Sequence, residues 1–165
     1  MGKRKDLIKV PMTIEWNYKP NRKFFLEYLI STNNFTTMAE VGVRDGRTTF
    51  YLLDKIPTLT IYAIDLNTSL FYNTEVKKKY QDRLVPIQGN SNLVSNKIPL
   101  VDIVFIDADH SFESCLKDIE LYKRKINSGG ILSGHDIDYP GVNRAVKKYI
   151  TDFDVGPNNV WFTRI

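Results

Sequence analysis

A single cysteine, Cys115, is the only thiol in this chain, so an internal disulfide framework is excluded and a reducing compartment fits. Long apolar runs are missing too. No stretch approaches the roughly 20 apolar residues that cross a bilayer, and Met1 to Val10 lacks the apolar core of a secretion signal. The expectation is a cytoplasmic protein with no membrane contact. Histidine is equally scarce, with only His110 and His135 in the chain. No repeats, linkers or low-complexity segments are found.

What is present is an ordinary globular mixture, 42% hydrophobic and 25% charged over 165 residues. A chain of that size buries roughly 70% of its unfolded surface without staples, so residues 1–165 are expected to form one domain: an arm and helix over 1–35, a core over 36–150 and a closing hairpin over 151–165. The net charge is +4. Its clusters, Lys3-Arg4-Lys5, Lys77-Lys78-Lys79 and Lys123-Arg124-Lys125, read as a solvated terminus and the basic ends of two helices rather than a nucleic-acid surface.

Periodicity predicts the elements in order. Residues 1 to 19 read as an arm that packs down through Trp16 and Tyr18. Phe24, Phe25, Tyr28 and Leu29 predict a helix over 21–30. Strands are expected at Thr37 to Val41, Thr60 to Ile64, Leu84 to Ile87, Val101 to Ile106 and Ile131 to Ser133. Helices are expected at Thr48 to Leu53, Ser69 to Tyr80, on the stripe Phe112, Cys115, Leu116, Ile119 and Tyr122, and at Val142 to Ile150. Gly129-Gly130 reads as a chain break, and Phe153 to Ile165 as a hairpin. Alternating strands and helices of this kind imply an α/β fold, a mostly parallel central sheet with helices on both faces and a C-terminal antiparallel hairpin.

The chemistry starts at Glu40-Val41-Gly42-Val43-Arg44-Asp45-Gly46, where a strand enters a glycine turn and a helix opens. Glycines there leave room for a ligand to approach the main chain. Arg44 stands where a dinucleotide fingerprint has its second glycine, which disfavours a pyrophosphate and suits a nucleoside without phosphates. Asp65 ends the next strand, 19 residues after Gly46, where a carboxylate can accept both hydroxyls of a ribose.

With Gly89-Asn90-Ser91, the run Val104 to Glu113 and Gly129 to Asp136, these residues make the chain resemble the class I S-adenosylmethionine-dependent methyltransferases. The motifs look like those of the small-molecule O-methyltransferase branch, which contains metal-dependent sugar and macrolide-sugar O-methyltransferases and their uncharacterised relatives. The resemblance spans about residues 36 to 150 and implies a Rossmann-like methyltransferase fold. It also implies that Glu40, Gly42 and Gly46 line the methionine side of S-adenosylmethionine, that Asp65 holds the ribose, and that Asn90 and Ser91 lie near the adenine.

A second constellation stands without the family. Asp107 and Asp136 end neighbouring strands, about 4.8 Å apart in any sheet, so their carboxylates can converge on a hard divalent cation, Mg-like, that keeps positions for substrate hydroxyls. His110 is the leading general base, with His135 as a second base or a substrate contact. The plainer readings stay open. Asp107 can touch the cofactor or cap a helix, Asp109 and Ser111 are ordinary caps, and Asp136 and Asp138 can be turn formers. Asp138 can also supply a further oxygen to the cation, and Arg44 and Arg47 can face a carboxylate. The expected activity is O-methylation of a small hydroxylated acceptor such as a sugar or glycoside, in a protein whose small size and exposed edge suit a homo-oligomer. The competing readings are metal-independent O- or N-methylation, and a non-catalytic cofactor-binding module.

Overall fold

Hydrophobic alternation dictates where the sheet centre lies. In Val101–Ile106, Ile103 and Phe105 serve one buried cluster while Val104 and Ile106 serve another. A strand apolar on both faces must be central and covered twice. The computed structural model describes residues 21–165 and puts this strand fourth from one edge of a seven-stranded sheet.

The elements are α1 (Arg22–Thr32), β1 (Thr37–Val41), α2 (Arg47–Lys55), β2 (Thr60–Asp65), α3 (Thr74–Tyr80), β3 (Leu84–Gln88), α4 (Ser91–Val94), β4 (Val101–Ile106), α5 (Phe112–Lys123), β5 (Ile126–Gly134), α6 (Pro140–Tyr149), β6 (Asp154–Val155) and β7 (Trp161–Arg164). Their order across the sheet is β3-β2-β1-β4-β5-β7-β6. The first five run parallel, β7 pairs antiparallel with β5, and β6 pairs antiparallel with β7. This is the mostly parallel α/β sheet with helices on both faces and a C-terminal antiparallel hairpin expected above. Strand order reverses between β1 and β4, and it is outside the carboxyl ends at such a switch point that open α/β sheets bind ligands.

Phe25, Leu26, Leu29 and Ile30 of α1 and Leu52 of α2 pack on Met38, Ile61, Ile103 and Phe105. On the other face, Cys115, Ile119 and Tyr122 of α5 and Val142 and Val146 of α6 pack on Val41, Ile64, Val104 and Leu132. Each such side chain contributes about 1.5–3 kcal/mol by leaving water. Phe24, expected inward, is 41% exposed because the buried stripe of α1 runs through Leu26 and Ile30 instead.

The structure departs from the sequence reading in three further places. The single helix expected at Ser69 to Tyr80 is a 3₁₀ turn, Thr68–Leu70, followed by α3. Two asparagines explain the split: Asn67 accepts from the Ser69 N–H at 3.1 Å and Asn73 from the Val76 N–H at 3.0 Å, so each opens its own turn. Gly129 and Gly130 do not break the chain but lie inside β5. There the pairing jumps from Val101–Ile126 to Ile103–Ile131, a bulge in which a Gly130 Cβ would stand 2.4 Å from the Asp102 carbonyl oxygen. The short α4 was not anticipated, since four residues carry too little period to read. The arm, with Trp16 and Tyr18, lies outside the described residues.

Candidate active site

Three strand ends reach the same level at the carboxyl edge. The Gly42 N–H donates to the Ile64 carbonyl at 2.9 Å, the Asp107 N–H to Val41 at 2.8 Å and the His135 N–H to Ile106 at 2.9 Å, so the ladder continues one residue beyond β1, β4 and β5. That extension fixes the backbone from which Asp107, His135 and Asp136 project. Gly42 is demanded by this packing: its φ is +88° and a Cβ would lie 2.2 Å from the Asp107 carbonyl oxygen. Gly42 packs closely on the neighbouring strand and still lines the cavity described below. At Gly46, with φ +77°, it is the Phe50 ring that comes close.

Asp107, His110 and Asp136 bring one ligand atom each within 4.8 Å of one another. His110 Nε2 lies 3.0 Å from Asp136 Oδ2 and 4.0 Å from Asp107 Oδ1. His135 Nδ1 lies 3.0 Å from Asp136 Oδ1 and 3.5 Å from Asp107 Oδ1, yet neither of its buried ring nitrogens makes a hydrogen bond among the described residues. Burial alone would raise the Asp107 carboxyl, but the His135 ring, the Arg22 charge and His110 outweigh it and hold the group below the usual carboxylate range. Burial likewise works to lower His135, and Asp107 and Asp136 overcome it and raise its affinity for a proton. Asp138, considered above as a further oxygen ligand, is not in the cluster. Ser111 caps α5, accepting from the Ser114 N–H at 3.4 Å, whereas Asp109 is not a helix cap as expected but closes the preceding turn by accepting from the Ser111 N–H at 2.9 Å.

The loop that follows β4 and the first turn of α6 are pressed together. A Cβ on Gly141 would stand 2.1 Å from the His110 carbonyl oxygen, and the exposed Tyr139 ring lies 4.7 Å from the imidazole of His110. In front of the cluster is a cavity of about 390 Å³, lined by Gly42, Asp107, His110, His135 and Asp136 and walled by Arg22, Arg44, Arg47 and Thr48. Arg22 was not singled out from the sequence. Its only signal was its place at the start of a helix, and what brings it here is tertiary: its N–H donates to Asn158 Oδ1 at 3.2 Å and its Nε to Thr48 Oγ1 at 3.4 Å.

The remaining residues singled out for the cofactor stand outside that lining. Glu40 is buried and accepts from Thr49 Oγ1. Burial pushes its carboxyl up to about 8, against the opposing Thr49 hydrogen bond, so it is largely protonated near neutral pH. Asp65 accepts from the Val43 and Arg44 N–H groups at 2.9 and 2.8 Å and from the Asn67 N–H at 3.0 Å. It thereby clamps the turns after β1 and β2, and of about four lone-pair sites on a carboxylate it keeps about one. Asn90 caps α4 by accepting from the Asn92 N–H at 2.9 Å, and the Ser91 carbonyl accepts from the Tyr122 hydroxyl at 2.9 Å. Both adjoin the end of β2, because the Gly89 N–H donates to the Asp65 carbonyl at 2.9 Å. Among the described residues no helix is long and apolar enough to cross a membrane.

A family model described as a methyltransferase domain matches residues 39–137. Among curated proteins, an uncharacterized protein of Acanthamoeba polyphaga mimivirus is 38% identical over 60 residues, 34% of this chain and 27% of that protein, so the match spans little more than a quarter of the relative. Solved structures share the fold at low identity. A putative caffeoyl-CoA O-methyltransferase from Staphylococcus aureus superposes with a TM-score of 0.70 at 16% identity, covering 91% of this chain and 87% of that one. A TDP-rhamnose 3'-O-methyltransferase of calicheamicin biosynthesis gives 0.67 at 17% identity, covering 85% and 76%. The MycE methyltransferase of the mycinamycin pathway, in complex with Mg, SAH and mycinamycin VI, gives 0.63 at 17% identity, covering 84% of this chain and 47% of its own.

Proposed function

The chain belongs to the methyltransferase-domain family, and from that premise we propose that it is an S-adenosylmethionine-dependent enzyme that methylates a hydroxyl of a small acceptor, a sugar or glycoside, with help from a divalent cation. The observation that carries this reading is the convergence of Asp107, His110 and Asp136 within 4.8 Å. Two carboxylates and one imidazole at a cavity wall suit Mg²⁺ or Mn²⁺ with positions left for hydroxyl oxygens. The two neighbours named for TDP-rhamnose and solved with Mg and mycinamycin VI support the same acceptor class.

In this reading the cation, held by Asp107 and Asp136, supplies Lewis acidity that makes an acceptor hydroxyl easier to deprotonate. His110, on the cavity wall, accepts that proton at Nε2, and Asp136, whose Oδ2 lies 3.0 Å away, stabilises the imidazolium that forms. Asp65 takes one ribose hydroxyl with its remaining lone pair, and Gly42 and Gly46 set the turn beside the methionine portion of the donor. Asn90 and Ser91 flank the adenine. Holding donor and acceptor in line supplies most of the acceleration. A second assignment is favoured by one observation: neither ring nitrogen of His135 makes a hydrogen bond among the described residues. If His110 instead serves as the third ligand, the proton goes to His135.

Calorimetry with S-adenosylmethionine and S-adenosylhomocysteine comes first, and micromolar binding is expected. Transfer of labelled methyl to a panel of simple glycosides should then be stimulated by Mg²⁺ or Mn²⁺ and abolished by EDTA. Turnover that is indifferent to EDTA and to Asp136→Asn would refute the cation, and the absence of any cofactor binding would refute the enzyme. Mn²⁺ titration of His110→Ala separates the two assignments, since loss of the ion makes His110 a ligand and retention with loss of turnover makes it the base.

A further inference from the structure

The cluster of two aspartates and two histidines has one arginine built against it, and its geometry is that of a charge rather than a brace. Arg22 Nη1 lies 3.4 Å from Asp107 Oδ2, while the hydrogen bond of its guanidinium goes from Nε to Thr48 Oγ1. The opposite oxygen of Asp107 faces the histidines. Arg22 therefore neutralises Asp107 without aligning it. Its side chain is 36% exposed, so the guanidinium has solvent to withdraw into. Its backbone is anchored independently, through Asn158 Oδ1, and a withdrawn side chain would stay tethered at the cavity wall.

We propose that Arg22 is the resident counter-ion of the cation site: it occupies the field of Asp107 when no metal is bound, and a divalent cation must displace it to bind. Arg22 thereby lowers the metal affinity of the site, and metal entry releases a guanidinium on the cavity wall. This inference rests on the cation reading of Asp107, His110 and Asp136. The direction follows from the geometry. A ligand carboxylate gains affinity from an outer partner that orients it through a good hydrogen bond, whereas a bare positive charge a few ångströms away repels the incoming ion.

The test is a Mn²⁺ titration of the full chain, read by loss of the free-ion EPR signal, for wild type, Arg22→Gln and Arg22→Lys, with Asp136→Asn as the ligand-deficient control. Arg22→Gln should bind Mn²⁺ about tenfold tighter, and its melting temperature should rise more on adding Mn²⁺ than that of wild type. Arg22→Lys, which keeps the charge, should stay within about twofold of wild type. A wild type that binds while Arg22→Gln binds equally or more weakly overturns the counter-ion role and leaves the cation site standing. A wild type that binds no more Mn²⁺ than Asp136→Asn overturns both.

Discussion

Gly42 and Gly129 make a matched pair from which the cost of the strand contact at the site can be read. Both have left-handed backbones, with φ of +88° and +83°, but a Cβ at Gly42 would meet the Asp107 carbonyl oxygen at 2.2 Å and the Ala108 Cα at 2.8 Å, whereas a Cβ at Gly129 meets nothing within 4 Å. Gly129→Ala should therefore cost only the left-handed strain of an L-residue, about 1–2 kcal/mol. Gly42→Ala pays the same strain and must also push backbone aside by about 1 Å, an overpacking cost of about 1–3 kcal/mol. For a chain of this size, at about 3 °C per kcal/mol, the melting temperature should fall by about 3–6 °C for Gly129→Ala and about 6–15 °C for Gly42→Ala. Calorimetric scans of both variants, with urea titrations to confirm unchanged m-values, measure the difference. Mn²⁺ affinity should fall only in Gly42→Ala, because the displaced atoms belong to Asp107. Equal drops in melting temperature would refute the claim that the approach of β4, rather than backbone conformation alone, requires a glycine at position 42.

Other expectations concern groups away from the cavity. Burial pushes the Asp118 carboxyl up to about 6, with the Ser91 hydrogen bond opposing and Asp109 adding to it. A folded value above the unfolded one of about 3.9 means that stability falls as pH rises from about 4 to about 6 and stays lower beyond, by about 3 kcal/mol. Asp118→Asn should thus raise the melting temperature at pH 8 and not at pH 4, and a gain independent of pH would disprove the buried-acid account. Asp102 is the opposite case. Burial alone would raise it, but hydrogen bonds from the Thr36 and Thr37 N–H groups, the Thr37 hydroxyl and Asn127 hold it low. Its contribution is present above the ordinary carboxylate range and lost as pH falls through the folded value. Asp102→Ala should cost about 2–4 kcal/mol at pH 7, with urea unfolding showing a smaller cost near pH 3 and S-adenosylhomocysteine affinity unchanged at neutral pH. Phe105→Ala, at the centre of the sheet and fully buried, should cost about 3–5 kcal/mol, measured by the same unfolding curves.

The parts of the fold legible from sequence were those whose burial is written into a period. β4 reads directly because both of its faces are apolar, and the strand ends at Asp65, Asp107 and Asp136 follow from where apolar runs stop. Local chemistry stronger than the period hid the rest. Asn67 and Asn73 each cap a turn and divide what looked like one helix. A glycine pair reads as a break unless it is known that the neighbouring strand presses on it. At the candidate site the convergence of Asp107, His110 and Asp136 was foreseeable from adjacency of β4 and β5. Arg22 was not, because α1 reaches the cavity only by packing across β1 and β4 and docking on the turn at Asn158. The hydrogen bonds that occupy Asp65 were equally invisible, since they come from backbone groups that every residue but proline carries.

The contact of Gly141 with the His110 carbonyl makes the cavity mechanically lopsided. One side is main chain wedged on main chain and cannot yield without moving α6 away from the loop after β4. The other consists of the long side chains of Arg22, Arg44 and Arg47, which swing on rotamer timescales. Compliance is thus confined to the arginine side, and under the proposed activity acceptors of different bulk would be accommodated there. A mutational library aimed at new acceptors should randomise Arg22, Arg44 and Arg47 and leave Gly141 untouched.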